Sequence, residues 1–180
     1  VTQQTTAEHV VLLDDQHRPS GTALKSEVHT EDTPLHLAFS CHVLNTKGEV
    51  LVTRRALSKK TWPGVWTNSF CGHPGPDESL ESAIARRAQQ ELGLEIRNIA
   101  PVVPEFSYRA TDASGIVENE FCPVFVATTD FEPEPVESEV AEYAWASPQD
   151  LAGAVQRAPF AFSPWLVSQI AEPELQAQLG

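Results

Sequence analysis

Cys71 and His73 lie two residues apart in the segment NSFCGHPG, and Glu118 and Glu120 repeat that spacing in VENEF. In an extended chain, side chains two apart share one face, so each pair could serve a single site. His29 and His36 add two imidazoles around an acidic loop. Three imidazoles and two carboxylates suit a five- or six-coordinate divalent ion with mixed nitrogen and oxygen donors, such as Mn²⁺, Mg²⁺ or Zn²⁺. Taken alone, however, Glu118 and Glu120 read as an exposed strand face. His9, His17 and His42 are read as ordinary surface or core histidines.

A second constellation falls on a helix expected from Glu78 to Leu92. At roughly 100° per residue, Leu80, Ala83 and Ile84 share a face, and Arg87 and Glu91 fall between them. Ionised groups rarely enter an apolar stripe unless they are paired or hold something. Two readings stay open: an i,i+4 ion pair at the edge of the stripe, or a Glu and an Arg that face a ligand.

Charge narrows the partner. A net charge of −13 repels polyanions, which argues against nucleic acid or an anionic membrane. A phosphorylated small molecule would have to be held locally, by a bound metal or by the segment Arg54, Arg55, Lys59 and Lys60, four of the chain's 12 basic residues. The same charges could simply solvate a loop. No apolar run approaches the roughly 20 residues of a bilayer span, and the polar start VTQQTTAE does not resemble a signal peptide. A cytoplasmic protein is expected. Three cysteines, Cys41, Cys71 and Cys122, are too few for a disulfide framework, so at least one should be a free thiol.

These residues need a scaffold. The 180 residues fit one domain with a sizeable core, placed at about 34–168, and the first seven residues are expected to be disordered. Strands are predicted over 9–13, 35–44, 49–55, 98–110 (broken by prolines), 117–128 and 142–146. Asn45–Gly48 reads as a hairpin turn, and FEPEPVESE, 131–139, as a surface loop. The first helix should stop at Gly93, which tolerates the left-handed conformation. A second should follow Ser163-Pro164, with Ser as cap and Pro in the first turn. Strands interleaved with a few helices predict a mixed sheet covered by helices.

The stretch Gly72 to Leu94 resembles the Nudix box, G-x5-E-x7-R-E-U-x-E-E-x-G-U, through Gly72, Glu78, Arg86, Ala88, Glu91, Gly93 and Leu94. It departs at Arg87 and Gln90, where the box has carboxylates that bind metal in Nudix hydrolases. TRRALSKKTWPGVWTNSFCGHP (53–74), YRATDASGIVENEFCPVF (108–125) and FSPW (162–165) closely resemble the type I isopentenyl-diphosphate isomerases, in colinear order from His9 to Trp165. That resemblance implies a single-domain Nudix-type α/β/α sandwich with a mixed β-sheet. It also implies interconversion of isopentenyl and dimethylallyl diphosphate, a step of isoprenoid biosynthesis.

Carried over residue by residue, the resemblance makes Cys71 and Glu120 the catalytic groups on opposite faces of the substrate. An unactivated alkene is a very weak base, so a desolvated acid is needed on one side and a base on the other. Glu120, assisted by Tyr108, is expected to give the proton, and Cys71 as thiolate to take one. The face of Trp165 would stabilise the intervening tertiary cation by roughly 0.5 to 2 kcal/mol; the residue could instead be plain core. His29, His36, His73, Glu118 and Glu120 are expected to hold one divalent ion (Mn²⁺, or Zn²⁺ or Mg²⁺). Glu91, with the main-chain carbonyl of Cys71, is expected to hold a Mg²⁺ shared with the diphosphate. Lys25, Arg55, Lys59 and Arg87 would take the remaining diphosphate charge, and the enzyme is expected to be a monomer. Two rivals remain, a Nudix hydrolase of nucleotide diphosphate linkages and a catalytically silent Nudix sensor.

Overall fold

A computed structural model describes residues 7–180. The expectation of disorder over the first seven residues lies, Ala7 apart, outside the described residues. The N-terminal half runs β1 (His9–Leu13), β2 (Pro19–Leu24), β3 (His36–Leu37), β4 (Phe39–Leu44), β5 (Val50–Arg55), β6 (Trp66–Thr67), β7 (Phe70–Gly72) and α1 (Leu80–Leu92). The remainder runs β8 (Arg97–Val103), β9 (Ser107–Thr111), β10 (Val117–Phe121), β11 (Val124–Thr128), β12 (Val140–Ala146), α2 (Pro148–Arg157), α3 (Pro164–Ile170) and α4 (Pro173–Leu179).

The strands form two sheets, one in the order β2-β1-β3-β10-β9 and the other β12-β5-β4-β11-β8, with β6 on β5 and β7 on β4. The second sheet is mixed: β4 and β11 are parallel, while β5 and β8 are antiparallel to their partners. Alternation along its central strands explains their unbroken apolar sequences. Phe39, Cys41 and Val43 of β4 and Phe125 and Ala127 of β11 pack with Ala83, Ile84, Ala88 and Leu92 of α1. Val124 and Val126 pack instead with Leu151, Val155, Leu166, Ile170 and Leu175 of the three C-terminal helices. The expected α/β/α sandwich is therefore present.

Two predicted strands are each divided. Residues 35–44 break at Ala38 into β3 and β4, and 117–128 break at Cys122-Pro123 into β10 and β11, each half joining a different sheet. The breaks lie side by side. Ala38 N donates to Phe121 O at 2.9 Å, Ser40 N to Pro123 O at 3.1 Å, and Cys122 N to Phe106 O at 2.8 Å. Pro123 has no N–H to donate to a ladder, so the two parallel segments leave one sheet and enter the other together. This seam places Glu120 opposite His36 and Ser40 opposite Cys71.

The α1 helix starts at Leu80, two residues later than expected, with Ser79 as its cap accepting from Ser82 N. Glu78 is diverted: its carboxylate accepts from Gly75 N at 2.8 Å and from Arg86 at 2.8 Å. The helix ends as expected at Gly93, whose φ of 60° and bonds to the Ala88 and Gln89 carbonyls form a left-handed cap. The Asn45–Gly48 turn and the Ser163 cap of α3 are also found. Unpredicted elements are the exposed edge strand β2, whose PSGTAL lacks apolar alternation, the short β6 and β7, and the helices α2 and α4.

Candidate active site

A cavity of about 260 Å³ opens at the seam between the sheets. Every residue that the resemblance singled out as catalytic, diphosphate-binding or metal-ligating lines it except His36, which lies fully buried behind His73 and Glu120.

One wall is a nest of imidazoles on a carboxylate. Glu120 Oε1 lies 3.0 Å from His73 Nε2, 3.3 Å from His36 Nε2 and 3.9 Å from His29 Nε2. The two nitrogens of His36 and His73 approach to 3.3 Å. His36 Nδ1 is 2.9 Å from the Pro34 carbonyl, which only accepts, so Nδ1 carries a hydrogen and Nε2 is the atom that faces Glu120 and His73; burial acts to lower this imidazole, but the Glu120 carboxylate outweighs it and raises it. Three ring nitrogens gathered at one carboxylate, with the far nitrogen of His36 anchored to a carbonyl, are a donor set that could hold a divalent cation. His29, His36, His73 and Glu120 have ligand atoms within 4.8 Å of one another. Glu118 stands outside that group: its oxygens accept from Thr61 and Tyr108, both at 2.7 Å.

Tyr108, opposite Glu120 in the β9–β10 register, bonds Glu118 at 2.7 Å and Glu120 at 2.9 Å. One phenolic hydrogen cannot serve two ionised carboxylates, so the three groups share protons. Burial, then the charge of Glu120, pushes Glu118 up. Burial works to raise Glu120 too, but the three histidines outweigh it and hold it well below the usual carboxylate range. Burial takes the His73 imidazole down to about 4, and burial raises the Tyr108 phenol well above its usual value.

Facing them, Cys71 projects from β7. Burial pushes its thiol up to about 12. Its sulfur lies 3.2 Å from Ser40 Oγ and 3.3 Å from Asn68 Oδ1. Trp165, on α3, is 1% exposed yet borders the cavity, 5.6 Å from the Tyr108 ring. It is both core and wall.

The remaining wall is charged. Arg55 is tied to the carbonyls of Thr61 (2.9 Å) and Trp62 (3.2 Å), with its guanidinium 5.4 Å over the Trp165 ring. Lys25 pairs with Glu8 at 2.6 Å, Lys59 with Glu139, and Arg87 with Glu91 and, at 3.7 Å, with Glu139. Arg87 and Glu91 are each 8% exposed, and both line the cavity. The two sequence readings are thus compatible: an i,i+4 pair that also faces a ligand space. Arg87 Nε is buried without a hydrogen-bond partner among the described residues. Arg54 turns away to Glu142.

Sequence reasoning missed Thr61 and Glu139, which line the cavity together with Lys60. Lys60 sits in the basic run already noted, but Glu139 belongs to the acidic loop read as surface. A bond from Ala56 N to its carbonyl, 3.1 Å, draws it against Lys59. His42, Cys41 and Cys122 are buried and do not line the cavity, and the three cysteines are unpaired.

A family model for the NUDIX domain matches residues 34–166. A protein of Kocuria rhizophila named isopentenyl-diphosphate Delta-isomerase is 74% identical, with both chains covered in full. Proteins of that name from Clavibacter michiganensis and Corynebacterium glutamicum are 60% and 58% identical, over 91% and 96% of this chain and 84% and 94% of theirs. Among solved structures, DR0079 of Deinococcus radiodurans superposes with a TM-score of 0.70 at 20% identity, covering 91% of this chain and 97% of that one. A MutT protein of Methanosarcina mazei gives 0.60 at 22%, covering 81% and 93%. At such identities these two speak to the fold alone.

Proposed function

The chain belongs to the NUDIX domain family and, within it, to the isopentenyl-diphosphate Delta-isomerases, and on that premise we propose that it interconverts isopentenyl and dimethylallyl diphosphate in the cavity between Cys71 and Glu120. The observation that carries the site is that a thiol, a tyrosine-bonded carboxylate and an indole face border one largely buried space. The reaction adds a proton at the terminal alkene carbon and removes one from the methylene two carbons away, so atoms balance with one proton in and one out. Two groups in opposite protonation states are needed. Glu120, bonded to Tyr108, is placed to give the proton, and Cys71, which borders the same cavity, to take one.

Tyr108, bonded to both Glu118 and Glu120, gives a proton at one carboxyl oxygen a path to the other, which restores Glu120 between turnovers. The Trp165 face stabilises the tertiary cation by roughly 0.5 to 2 kcal/mol, and more where water is excluded. Lys25, Arg55, Lys59 and Arg87 receive the diphosphate at the charged wall, Lys25, Lys59 and Arg87 by leaving Glu8, Glu139 and Glu91. His29, His36, His73 and Glu120, joined by Glu118, would hold one divalent ion, with Mn²⁺ the first choice and Zn²⁺ or Mg²⁺ the others. Glu91 and the Cys71 carbonyl would hold a Mg²⁺. Bound ions supply positive charge that lowers the proton affinity of neighbouring groups and neutralises diphosphate.

The unit we propose is one domain, with its core at about 34–168, acting as a cytoplasmic monomer on a small molecule. The charge of −13 and the three free thiols support this, and no helix among the described residues is long and apolar enough to cross a membrane. Turnover of isopentenyl diphosphate in deuterated water tests the reading. Deuterium in a dimethylallyl product supports it. Release of inorganic phosphate would instead favour a hydrolase, and binding without turnover a sensor.

A further inference from the structure

The sulfur of Cys71 sits in a hydrogen-bonded frame whose polarity can be read atom by atom. Asn68, fully buried, donates through Nδ2 to the carbonyls of Cys41 (3.1 Å) and Phe70 (2.8 Å). Both partners only accept, so the amide orientation is fixed and Oδ1 must face the other way. There it accepts from Trp165 Nε1 at 3.0 Å, from Thr67 Oγ1 at 2.9 Å and from Cys71 Sγ at 3.3 Å. The indole N–H can only donate, which fixes the same orientation independently. One oxygen thus holds the thiol and the indole together.

The other side of the sulfur is determined as well. Ser40 Oγ lies 3.2 Å from Cys71 Sγ and accepts from Gln169 Nε2 at 2.8 Å. Gln169 Oε1, which only accepts, lies 2.9 Å from His42 Nε2, so that nitrogen carries the hydrogen of a ring that burial takes down to about 4. Ser40 Oγ also lies 3.4 Å from Cys122 Sγ; with the Cys71 hydrogen given to Asn68 Oδ1, a bond between Ser40 and Cys71 must use the serine hydrogen. Trp165 and Gln169 stand four apart on α3, the spacing that puts two side chains on one helix face. A single helix face therefore grips both neighbours of the sulfur.

We propose that Asn68, Ser40 and Gln169 are positioning residues that fix the Cys71 sulfur and the Trp165 indole relative to each other, with Asn68 as the shared anchor. This rests on the reading that Cys71 and Trp165 act on substrate. A misplacement of about 1 Å at a reacting group lowers rate by about 100-fold, while Lys25, Lys59 and Arg87 of the diphosphate wall are held by carboxylates outside this frame.

Steady-state kinetics and thermal melting of Asn68→Ala, Asn68→Asp, Ser40→Ala and Cys71→Ala test it. Asn68→Ala should lower kcat by about 100-fold with KM within about threefold. Asn68→Asp keeps the accepting oxygen while losing the same two backbone bonds, and should recover at least a tenth of the parent kcat. Ser40→Ala, nearly isosteric and therefore safe for folding, should lower kcat by about tenfold at unchanged KM. If Asn68→Ala and Ser40→Ala keep parental kcat while Cys71→Ala is inactive, the frame is overturned and the catalytic reading survives. If Asn68→Asp is no better than Asn68→Ala, and KM and melting temperature worsen with kcat in every variant, the role is structural only and the proposal is likewise overturned. If Cys71→Ala keeps turnover, it is the underlying reading that fails.

Discussion

Replacing Arg87 by Ala should destabilise the protein strongly at neutral pH and progressively less in acid. The guanidinium is bonded to Glu91, and the two side chains are only 9% and 10% exposed. Removing it strands a buried carboxylate, which in general is destabilising by about 3 to 5 kcal/mol. A ceiling applies, because Glu91 can take up a proton instead. Burial already pushes its carboxyl up, and Arg87 opposes that rise, so losing Arg87 lifts it further. Protonating a carboxyl of ordinary value near 4.3 at pH 7 requires about 3.7 kcal/mol at about 1.36 per unit. A group raised on folding gives its full stability below its unfolded value and loses it as pH rises towards the folded one. The deficit of Arg87→Ala should therefore be about 3 kcal/mol at pH 7 and shrink to about 1 kcal/mol near pH 5. Urea unfolding of parent and variant in chelator, at half-unit steps from pH 5 to 7.5, measures it. A deficit under about 0.5 kcal/mol that stays flat with pH is the behaviour of an exposed pair and would refute the reasoning.

Cys71→Ala should fold normally and lose turnover by at least about 1,000-fold, while Cys41→Ala and Cys122→Ala stay active; near-parental turnover of Cys71→Ala would remove the thiol from the chemistry. Chelation should abolish activity, and His29, His36 or His73 to Ala should each lower the divalent metal recovered per chain. Full metal content in all three would exclude these rings as ligands. Glu91→Gln should weaken the dependence of rate on Mg²⁺ occupancy and recover in part at high Mg²⁺, since an amide oxygen is still a weak ligand; a Mg²⁺ titration identical to the parent's would return Glu91 to a purely structural role.

Local signals in the sequence located what local physics decides. Gly93 stops α1 and Ser163-Pro164 starts α3 because caps act over a few residues. Ser147-Pro148 carries the same signal and opens α2, so that helix was legible but not read. The division of 35–44 and 117–128 was not legible in the same way, because each continuous run meets both sheets and only pairing between the runs shows where they turn. Spacing offered Glu118 and Glu120 only as a shared face; the resemblance singled them out, and the fold gives the two carboxylates different neighbours. Asn68 and Gln169 gave no signal at all. Their partners lie up to 129 positions away, and a buried amide earns its role only from a three-dimensional neighbour.

The carboxylates seated among the basic side chains make ligand capture an exchange of partners rather than an occupation of bare charge. Glu8, Glu91 and Glu139 already offset the charges of Lys25, Arg87 and Lys59, so at these three an incoming anion gains mainly what it offers beyond a carboxylate. A singly charged anion such as chloride or acetate should barely compete. A diphosphate, with several oxygens to share among neighbouring cations, can displace all three at once. The overall charge of −13 adds repulsion for large polyanions, so inhibition by chloride should stay weak where inhibition by inorganic diphosphate is strong, and equal potency of the two would show that the wall does not discriminate in this way.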